Sequence, residues 1–332
     1  MENYDLIIIG SGAGLNLVDA AVRSGMKVAL AENGPMGGTC LNRGCIPSKM
    51  WIYPADVIRQ IEDGARIGVE AKLEKADFEL VRQRTWDSVL KERDGISEAV
   101  KEDPQVTPIR DTVSFIGDRT LTASGRTIKA PRIVLAGGAR SAIPPIEGIE
   151  DVEYQTSETI FDIEELPKSV IILGGGYKGC EFGHFFSAFG TDVTIIQRNT
   201  RLLPNEELEI SSAVTRKLGQ HVTLRTAHDA TEVRKSDGGI EVISRDRTNG
   251  KDVRDQAEML LVVAGVKSNA DWLDPAATGV ELDESGYVRV NEHLETTAPG
   301  IWALGDITGH HMFRHTANYE SQVVWHNMTS EH

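Results

Sequence analysis

The sequence is poor in cysteine, contains no long apolar run and has no excess of basic residues. Its three cysteines, Cys40, Cys45 and Cys180, are too few for a secreted disulfide scaffold. The longest apolar runs, such as 259–266, are too short to cross a bilayer, and no signal segment precedes the first strand. With 35 Lys and Arg against 50 Asp and Glu, the net charge of −15 argues against a nucleic-acid partner. We therefore predict a cytoplasmic protein that binds neither nucleic acid nor a membrane.

Two segments, 4–32 and 169–197, have the pattern of a strand, a glycine-rich turn, a helix and a second strand. This βαβ pattern is typical of parallel sheets that bind dinucleotides. A chain of 332 residues is long enough for two domains. We therefore predict an α/β protein with two Rossmann-like folds. Outside these segments we predict helices at 52–61 and 78–100 and strands at 113–116, 120–122, 222–224, 240–242 and 260–263.

The first glycine turn reads Gly-Ser-Gly-Ala-Gly and contains Gly10, Gly12 and Gly14. These glycines permit a tight turn and a close approach to a pyrophosphate at a helix N-terminus. Leu15 replaces the third glycine of the usual pattern, whereas Glu32 ends the next strand, where a carboxylate accepts from ribose hydroxyls. The alternative is a loop without a ligand, but the combination favours a bound nucleotide.

The second glycine turn carries all three glycines of the pattern, at Gly174, Gly176 and Gly179. Gln197 stands where an acidic ribose acceptor is expected, and Arg198 and Arg201 follow it. An acid would repel a 2′-phosphate, whereas an arginine can pair with one. The second fold is therefore predicted to bind NADPH rather than NADH, unless these arginines are only solvated loop charges.

Cys40 and Cys45 are separated by four residues at a predicted helix start. In a regular helix their Cα atoms would be about 8–9 Å apart, too far for a disulfide. The segment must therefore be distorted if the pair is redox-active, and Gly44 and Pro47 are suited to that. A helix N-terminus and Lys49 would both lower the thiol pKa. Half a zinc site and two inert cysteines remain the alternatives, although no second ligand cluster is visible.

The stretch 37–49 reads Gly-Gly-Thr-Cys-Leu-Asn-Arg-Gly-Cys-Ile-Pro-Ser-Lys, and 297–306 reads Thr-Ala-Pro-Gly-Ile-Trp-Ala-Leu-Gly-Asp. With these motifs the sequence resembles the class I pyridine nucleotide–disulfide oxidoreductases, which include dihydrolipoamide dehydrogenase, glutathione reductase, mercuric reductase and mycothione reductase. Segments 268–271 and 315–320 look more like mycothione reductase than a typical dihydrolipoamide dehydrogenase. The resemblance covers essentially the whole chain and implies FAD, with NADP or NAD as the second cofactor.

The resemblance implies catalytic roles by position. Cys45 would be the thiol beside the flavin, forming a charge-transfer complex with it, and Cys40 would exchange with the substrate. Lys49 and Glu181 would pair beside flavin N5, and Tyr177 would gate the nicotinamide pocket. The alternatives are that Glu181 is an ordinary helix charge and that Tyr177 only fills space.

The resemblance also implies cofactor contacts. Asp306 would bind the ribityl or pyrophosphate region, although it could be only a turn residue. Gly265 would line the nicotinamide site, and His315 would order the flavin edge or an interface. Cys180 is expected to pack as a small apolar group without a redox role. The other implied cofactor positions are Gly38, Thr39, Ala136, Gly138, Gly305 and Ala317.

The sequence departs from the family in three respects. The run 136–140, Ala-Gly-Gly-Ala-Arg, replaces Ala-Thr-Gly-Ser, and Val266 stands where an arginine is common. The resemblance implies that the sequence given stops before the family's dimerisation domain, which would supply a His–Glu pair to the partner's disulfide. We therefore expect poor reduction of a disulfide substrate by the sequence given, and a homodimer for a full-length form, with a monomer as the alternative for the sequence given.

The prediction is an FAD-dependent NAD(P)H:disulfide oxidoreductase of the dihydrolipoamide dehydrogenase type, acting on a small disulfide or dithiol through Cys40 and Cys45. The FAD domain would comprise 1–150 and 271–332, with the NAD(P) domain at 151–270 inserted in it and no metal site. The alternatives are a mycothione reductase-like NADPH enzyme, a diaphorase that reduces quinones, dyes or oxygen, and a non-catalytic flavin-binding module.

Overall fold

The computed structural model, which describes residues 1–330, combines α-helices with parallel and antiparallel strands. The α-helices of this part of the chain are α1 (Leu15–Arg23), α2 (Gly38–Arg43), α3 (Cys45–Asp63), α4 (Phe78–Glu102), α5 (Tyr177–Ala188), α6 (Leu208–Leu218) and α7 (Arg314–Thr329). The strands are β1 (Glu2–Asn3), β2 (Leu6–Ile9), β3 (Val28–Ala31), β4 (Val106–Ile109), β5 (Ser114–Gly117), β6 (Thr120–Ala123), β7 (Arg126–Lys129), β8 (Arg132–Leu135), β9 (Ala139–Ser141), β10 (Gln155–Thr156), β11 (Ser169–Leu173), β12 (Asp192–Gln197), β13 (Thr223–Thr226), β14 (His228–Ser236), β15 (Gly239–Asp246), β16 (Asp252–Ala257), β17 (Met259–Val262), β18 (Val266–Ser268) and β19 (Ile301–Ala303). None of these helices is long and apolar enough to cross a membrane.

The chain forms two compact units. The first contains Met1–Asn42, Val89–Arg140 and the chain from Lys267 onward, and the second contains Arg43–Ser88 and Ser141–Val266. These units are defined by internal contacts. The FAD and NAD(P) domains at 1–150, 151–270 and 271–332 are defined by their ligands, and their boundaries stay a prediction.

The first unit is built on a parallel five-stranded sheet with the strand order β19-β8-β2-β3-β4. Strands β2 and β3 are buried along their whole length, as expected where helices or loops cover both faces of a parallel sheet. A second sheet, β1-β7-β6-β5, adds an antiparallel meander with Phe115, Leu121 and Ile128 buried.

Arg140 joins two segments of the first unit at the point where the chain leaves and re-enters it. Its guanidinium forms two hydrogen bonds with Asp271, of 2.9 and 2.5 Å, and lies 4.5 Å from the centre of the Trp272 ring. It also donates to the carbonyl of Ser268 and to Asn269. Arg140, which belongs to the stretch 136–140 that departs from the family pattern, therefore holds the segment 268–272 in place.

The second unit contains another parallel five-stranded sheet, β10-β17-β11-β12-β13, and an antiparallel three-stranded sheet, β14-β15-β16. An aromatic cluster on one side of the parallel sheet packs α3 against α5. Trp51 of α3 is 1% exposed, and its ring centre lies 4.5 Å from that of Phe185 and 4.9 Å from that of Phe161. This packing fixes α3 relative to the helix that follows the second glycine turn.

The predicted α/β class with parallel sheets is confirmed, and the predicted helices at 52–61 and 78–100 lie within α3 and α4. Helix α5 begins at Tyr177, because Gly176 is already its extended N-cap residue. Strand β7 was not predicted, since its sequence Arg-Thr-Ile-Lys offers only one buried residue, Ile128, to a hydrophobic pattern.

Truncation of Trp51 should destabilise the second unit. We expect Trp51→Ala to lower the free energy of unfolding by about 3–5 kcal/mol, because it leaves a cavity among buried rings. Trp51→Phe should cost less than Trp51→Ala, since one six-membered ring is kept and the indole N–H, which has no partner among residues 1–330, is removed. Denaturant unfolding measures both.

Tyr53 provides the control because it lies on the same helix and is 72% exposed. Tyr53→Ala should change stability by no more than about 0.5 kcal/mol. Equal losses for Trp51→Ala and Tyr53→Ala would contradict the role given to the aromatic cluster.

Candidate active site

The first glycine turn lies at the carboxyl edge of the first parallel sheet, directly after β2. Gly10 has a φ of +105°, and a Cβ atom on it would lie 2.1 Å from the carbonyl oxygen of Ala136. Only glycine allows this crossing of two backbones. Gly38, at the start of α2, lies next to Gly12, since a Cβ atom on Gly38 would be 2.5 Å from the Cα atom of Gly12. Gly14 directly precedes α1, so the turn leads into a helix N-terminus.

Glu32 holds this turn in place from the end of β3. Its carboxylate accepts from the backbone N–H of Ser11 at 2.9 Å, from the Ser11 hydroxyl at 2.7 Å and from the N–H of Gly34 at 2.7 Å. The residue predicted to accept from a ribose is therefore also a structural acceptor for the loop, a function that sequence reasoning missed.

Two further predicted cofactor segments follow strands of the same sheet and lie at the same edge. Ala136 follows β8, and Gly305 follows β19. Asn269 fixes the segment after Ala136, since it donates through its backbone to the carbonyl of Gly138 and through its side chain to that of Gly137.

Glu320 of α7 fixes the Gly305 segment. It is 8% exposed and accepts from the Gly305 N–H at 2.6 Å, and burial raises the pKa of its carboxyl group. Asp306 is half-buried in the following turn, Ala317 is buried on α7, and His315 is exposed at the start of that helix. Sequence reasoning gave Glu320 no role, because only the fold brings it to Gly305.

The redox segment contains the distortion that a disulfide would require. Helix α2 ends at Arg43, Gly44 has non-helical dihedral angles of −141° and −118°, and α3 begins at Cys45. Cys40 is half-buried within α2, and Cys45 is exposed at the first position of a 19-residue helix. The dipole of α3 therefore favours a thiolate at Cys45.

Two further residues considered in the sequence, Thr39 and Cys180, lie on different helices. Thr39 lies in α2 beside Gly38. Cys180 is half-buried on α5, and burial raises the pKa of its thiol to about 12, so it remains protonated at neutral pH. This state suits the packing role expected for it.

Lys49 and Glu181 are brought together by the packing of α3 on α5. The Lys49 amino group donates to the Glu181 carboxylate at 2.6 Å, and it also contacts the Ser48 hydroxyl at 3.3 Å. These residues are 132 positions apart in the chain. The pair is partly exposed, with 61% of the Lys49 side chain and 33% of the Glu181 side chain accessible.

The second glycine turn follows β11 at the carboxyl edge of the other parallel sheet. A Cβ atom on Gly179 would lie 1.9 Å from the carbonyl oxygen of Gly174, so a side chain cannot fit there. Gln197 is buried, and its amide oxygen accepts from the Gly175 N–H at 3.3 Å. The side chain of Gln197 thus supports the turn itself. The backbone carbonyl of Gly265 accepts a hydrogen bond from the N–H of Ala142 at 3.0 Å.

Tyr177 begins α5 and has a half-exposed ring, and its hydroxyl donates to the Glu206 carboxylate. This hydrogen bond raises the pKa of the phenol, since the neighbouring negative charge opposes ionisation. Tyr177, the residue predicted to gate the nicotinamide pocket, is therefore hydrogen-bonded to Glu206 in the loop before α6.

An arginine-lined cleft of about 490 Å³ lies beyond the end of β12. Arg198 and Arg201 line it, as does Arg247, which sequence reasoning missed. Arg247 follows β15, donates to the backbone carbonyl of Arg198 at 3.1 Å and pairs with Asp229 at 3.3 Å. No local signal could identify Arg247, because it lies 49 positions from Arg198 in the chain. The remaining lining residues are Asn199, Thr200, Pro204, Ala227 and Thr248.

The two turns fit dinucleotides on the evidence of their own geometry. Each follows a parallel strand, approaches a neighbouring backbone too closely for any side chain and leads into a helix N-terminus. Within residues 1–330, no group of three or more His, Cys, Asp or Glu side chains is arranged to hold a metal ion.

Comparisons with known proteins agree with this arrangement. Mycothione reductase of Mycobacterium tuberculosis is 36% identical over 338 residues, covering 99% of this chain and 71% of the relative. Mercuric reductase of Staphylococcus aureus is 31% identical over 335 residues, covering 98% of this chain and 59% of the relative. The solved structure of the HOCl-induced flavoprotein disulfide reductase RclA from Escherichia coli matches with a TM-score of 0.87 and 29% identity, over 99% of this chain and 72% of that chain.

A family model described as pyridine nucleotide-disulphide oxidoreductase matches residues 4–321. The family uses FAD and NAD(P)H, which confirms the prediction of FAD together with NADP or NAD. The chain therefore belongs to the pyridine nucleotide-disulphide oxidoreductases, FAD-dependent enzymes that act on sulfur groups.

Proposed function

We propose that this protein uses NADPH to reduce a small disulfide of a low-molecular-weight thiol, of which mycothione is an example. The observation that carries the choice of NADPH is the cleft that combines Arg198, Arg201 and Arg247. Guanidinium groups bind phosphate through paired hydrogen bonds, and NADH has no 2′-phosphate for them to bind. The 36% identity to a mycothione reductase supports the substrate class.

The glycine turns supply the two nucleotide sites of this proposal. The turn at Gly10–Gly14 would hold FAD, with Glu32 at its adenosine end and the Gly305–Asp306 segment at the same sheet edge. The turn at Gly174–Gly179 would hold NADPH. FAD, when bound, accepts a hydride from a nicotinamide and passes two electrons to a disulfide.

Lys49 and Glu181 would orient the reacting groups. The ion pair between them keeps the Lys49 ammonium at a defined place beside the segment that carries Cys45. A cation held there favours the thiolate form of Cys45, in addition to the dipole of α3.

Thiol–disulfide exchange would complete the reaction. The Cys40 thiolate attacks the substrate disulfide, the substrate S–S bond breaks, and one thiol leaves after taking up a proton. Cys45 then attacks Cys40 in the mixed disulfide, so that the second thiol leaves and the Cys40–Cys45 disulfide forms. In total, one NADPH and one proton convert one disulfide into two thiols.

Anaerobic titration with NADPH tests the coupling of the cofactor to the cysteines. One equivalent should produce a long-wavelength absorbance band and expose two additional alkylatable thiols, identified by mass spectrometry as Cys40 and Cys45. The band arises when the Cys45 thiolate lies against the flavin. Bleaching of the flavin without new thiols would favour a diaphorase, and a colourless protein that takes up no FAD would contradict both functions.

Cysteine variants separate disulfide reduction from diaphorase activity. Cys40→Ser should abolish reduction of glutathione disulfide, lipoamide and mycothione, because no thiolate remains to attack the substrate. Reduction of a quinone by NADPH should persist within about twofold, because a quinone can take electrons from the flavin without the cysteines. Cys180→Ser is the control and should leave both activities intact, and persistent disulfide reduction by Cys40→Ser would refute the exchange mechanism.

Arginine variants test the preference for NADPH. Arg198→Ala, Arg201→Ala and Arg247→Ala should each raise the KM for NADPH roughly 10-fold, the effect of losing one charged hydrogen bond, and leave the KM for NADH unchanged. Arg254→Ala is the matched control, because Arg254 lies on β16, which pairs with the strand that precedes Arg247, but does not line the cleft. Equal effects on NADPH and NADH would show that the cleft does not bind the 2′-phosphate.

A further inference from the structure

Arg314 lies over the first glycine turn although it is 300 residues distant in sequence. It is the first residue of α7, and its Nη1 atom is 3.8 Å from the position of a Cβ atom on Gly12. Gly12 is the middle glycine of the turn that follows β2. The fold therefore places a permanently charged group next to the backbone that would receive a pyrophosphate.

The surroundings of Arg314 do not supply a partner for its charge. The side chain is half-buried, and within residues 1–330 it forms no hydrogen bond and no ion pair. The nearby Glu32 carboxylate is already engaged by Ser11 and Gly34. An arginine held in this way is suited to an external anion.

The position of Arg314 on its helix is electrostatically unfavourable. A helix N-terminus carries partial positive charge, so a cation in the first turn is disfavoured there. The first turn of α7 contains no acidic residue that would offset this cost. The contacts among residues 1–330 therefore give no reason for an arginine at this position, whereas an anion bound to the turn would give one.

The turn itself lacks a cation, because residues 10–14 read Gly-Ser-Gly-Ala-Gly. Its backbone N–H groups can donate to phosphate oxygens but carry no full charge. We propose that Arg314 binds the pyrophosphate of FAD on this turn and provides the counter-charge that the turn lacks. This inference rests on the proposed assignment of the Gly10–Gly14 turn to FAD.

The experiment measures FAD binding to the apoprotein by quenching of flavin fluorescence. Arg314→Met keeps the apolar stem and removes the charge, and it should raise the Kd for FAD roughly 10- to 100-fold. Arg314→Lys should recover part of this loss, because the charge returns without the planar fork. Added NaCl should weaken FAD binding to the unchanged protein more than to Arg314→Met.

Two controls separate ligand binding from a structural role. Arg132→Met replaces a half-buried arginine at the amino end of β8, the opposite edge of the same sheet, and should leave the Kd for FAD unchanged. The melting temperature of apo Arg314→Met should equal or exceed that of the unchanged apoprotein, because an unfavourable helix charge is removed. Only the FAD-bound form should melt lower.

The outcomes distinguish this inference from the proposed function. If the unchanged protein binds FAD and Arg314→Met binds it within twofold, the role of Arg314 is refuted and the function stands. A loss of apoprotein stability equal to that of the FAD-bound form would also refute it, in favour of a structural role. If the unchanged apoprotein binds no FAD, the inference and the proposed function both fail.

Discussion

The close approach of backbones at the carboxyl edges of the two parallel sheets is the constraint on which the rest of the structure depends. At Gly10 and Gly174 a carbonyl oxygen of a neighbouring segment, that of Ala136 or of Val263, occupies the space that a side chain would need. Each turn leads directly into a helix, and the N–H groups of the first turn of that helix remain available to a ligand. Because Ala136 and Gly305 follow neighbouring strands of the first sheet, one edge collects segments that are far apart in sequence.

The packing of α3 on α5 links stability to chemistry in the second unit. Trp51 and Phe185 bury the apolar faces of the two helices, and the same contact brings Lys49 to Glu181. Since the ion pair is partly exposed, it contributes at most about 1 kcal/mol to stability. The aromatic contact therefore holds the geometry in which Lys49 meets Glu181.

Local charge differs from the overall charge of the protein. The chain carries a net charge of −15, yet arginines gather where the two nucleotides are proposed to bind: Arg314 at one turn and Arg198, Arg201 and Arg247 in the cleft. An acidic protein repels phosphate at long range, but salt screens that repulsion beyond about 10 Å. Short-range guanidinium contacts can therefore decide binding.

The sequence by itself determined the fold class, both glycine turns, the cysteine pair and the family, because each depends on residues that are adjacent or closely spaced in the chain. The break at Gly44 was also predictable, since helical geometry and disulfide geometry conflict over five residues. Only the tertiary structure decided that Glu32 and Gln197 hold their own turns, that Glu320 reaches Gly305, that Arg247 joins Arg198 in the cleft, and that Arg314 lies beside Gly12. These contacts join residues from different strands and helices, and neither spacing nor periodicity carries information about such distances.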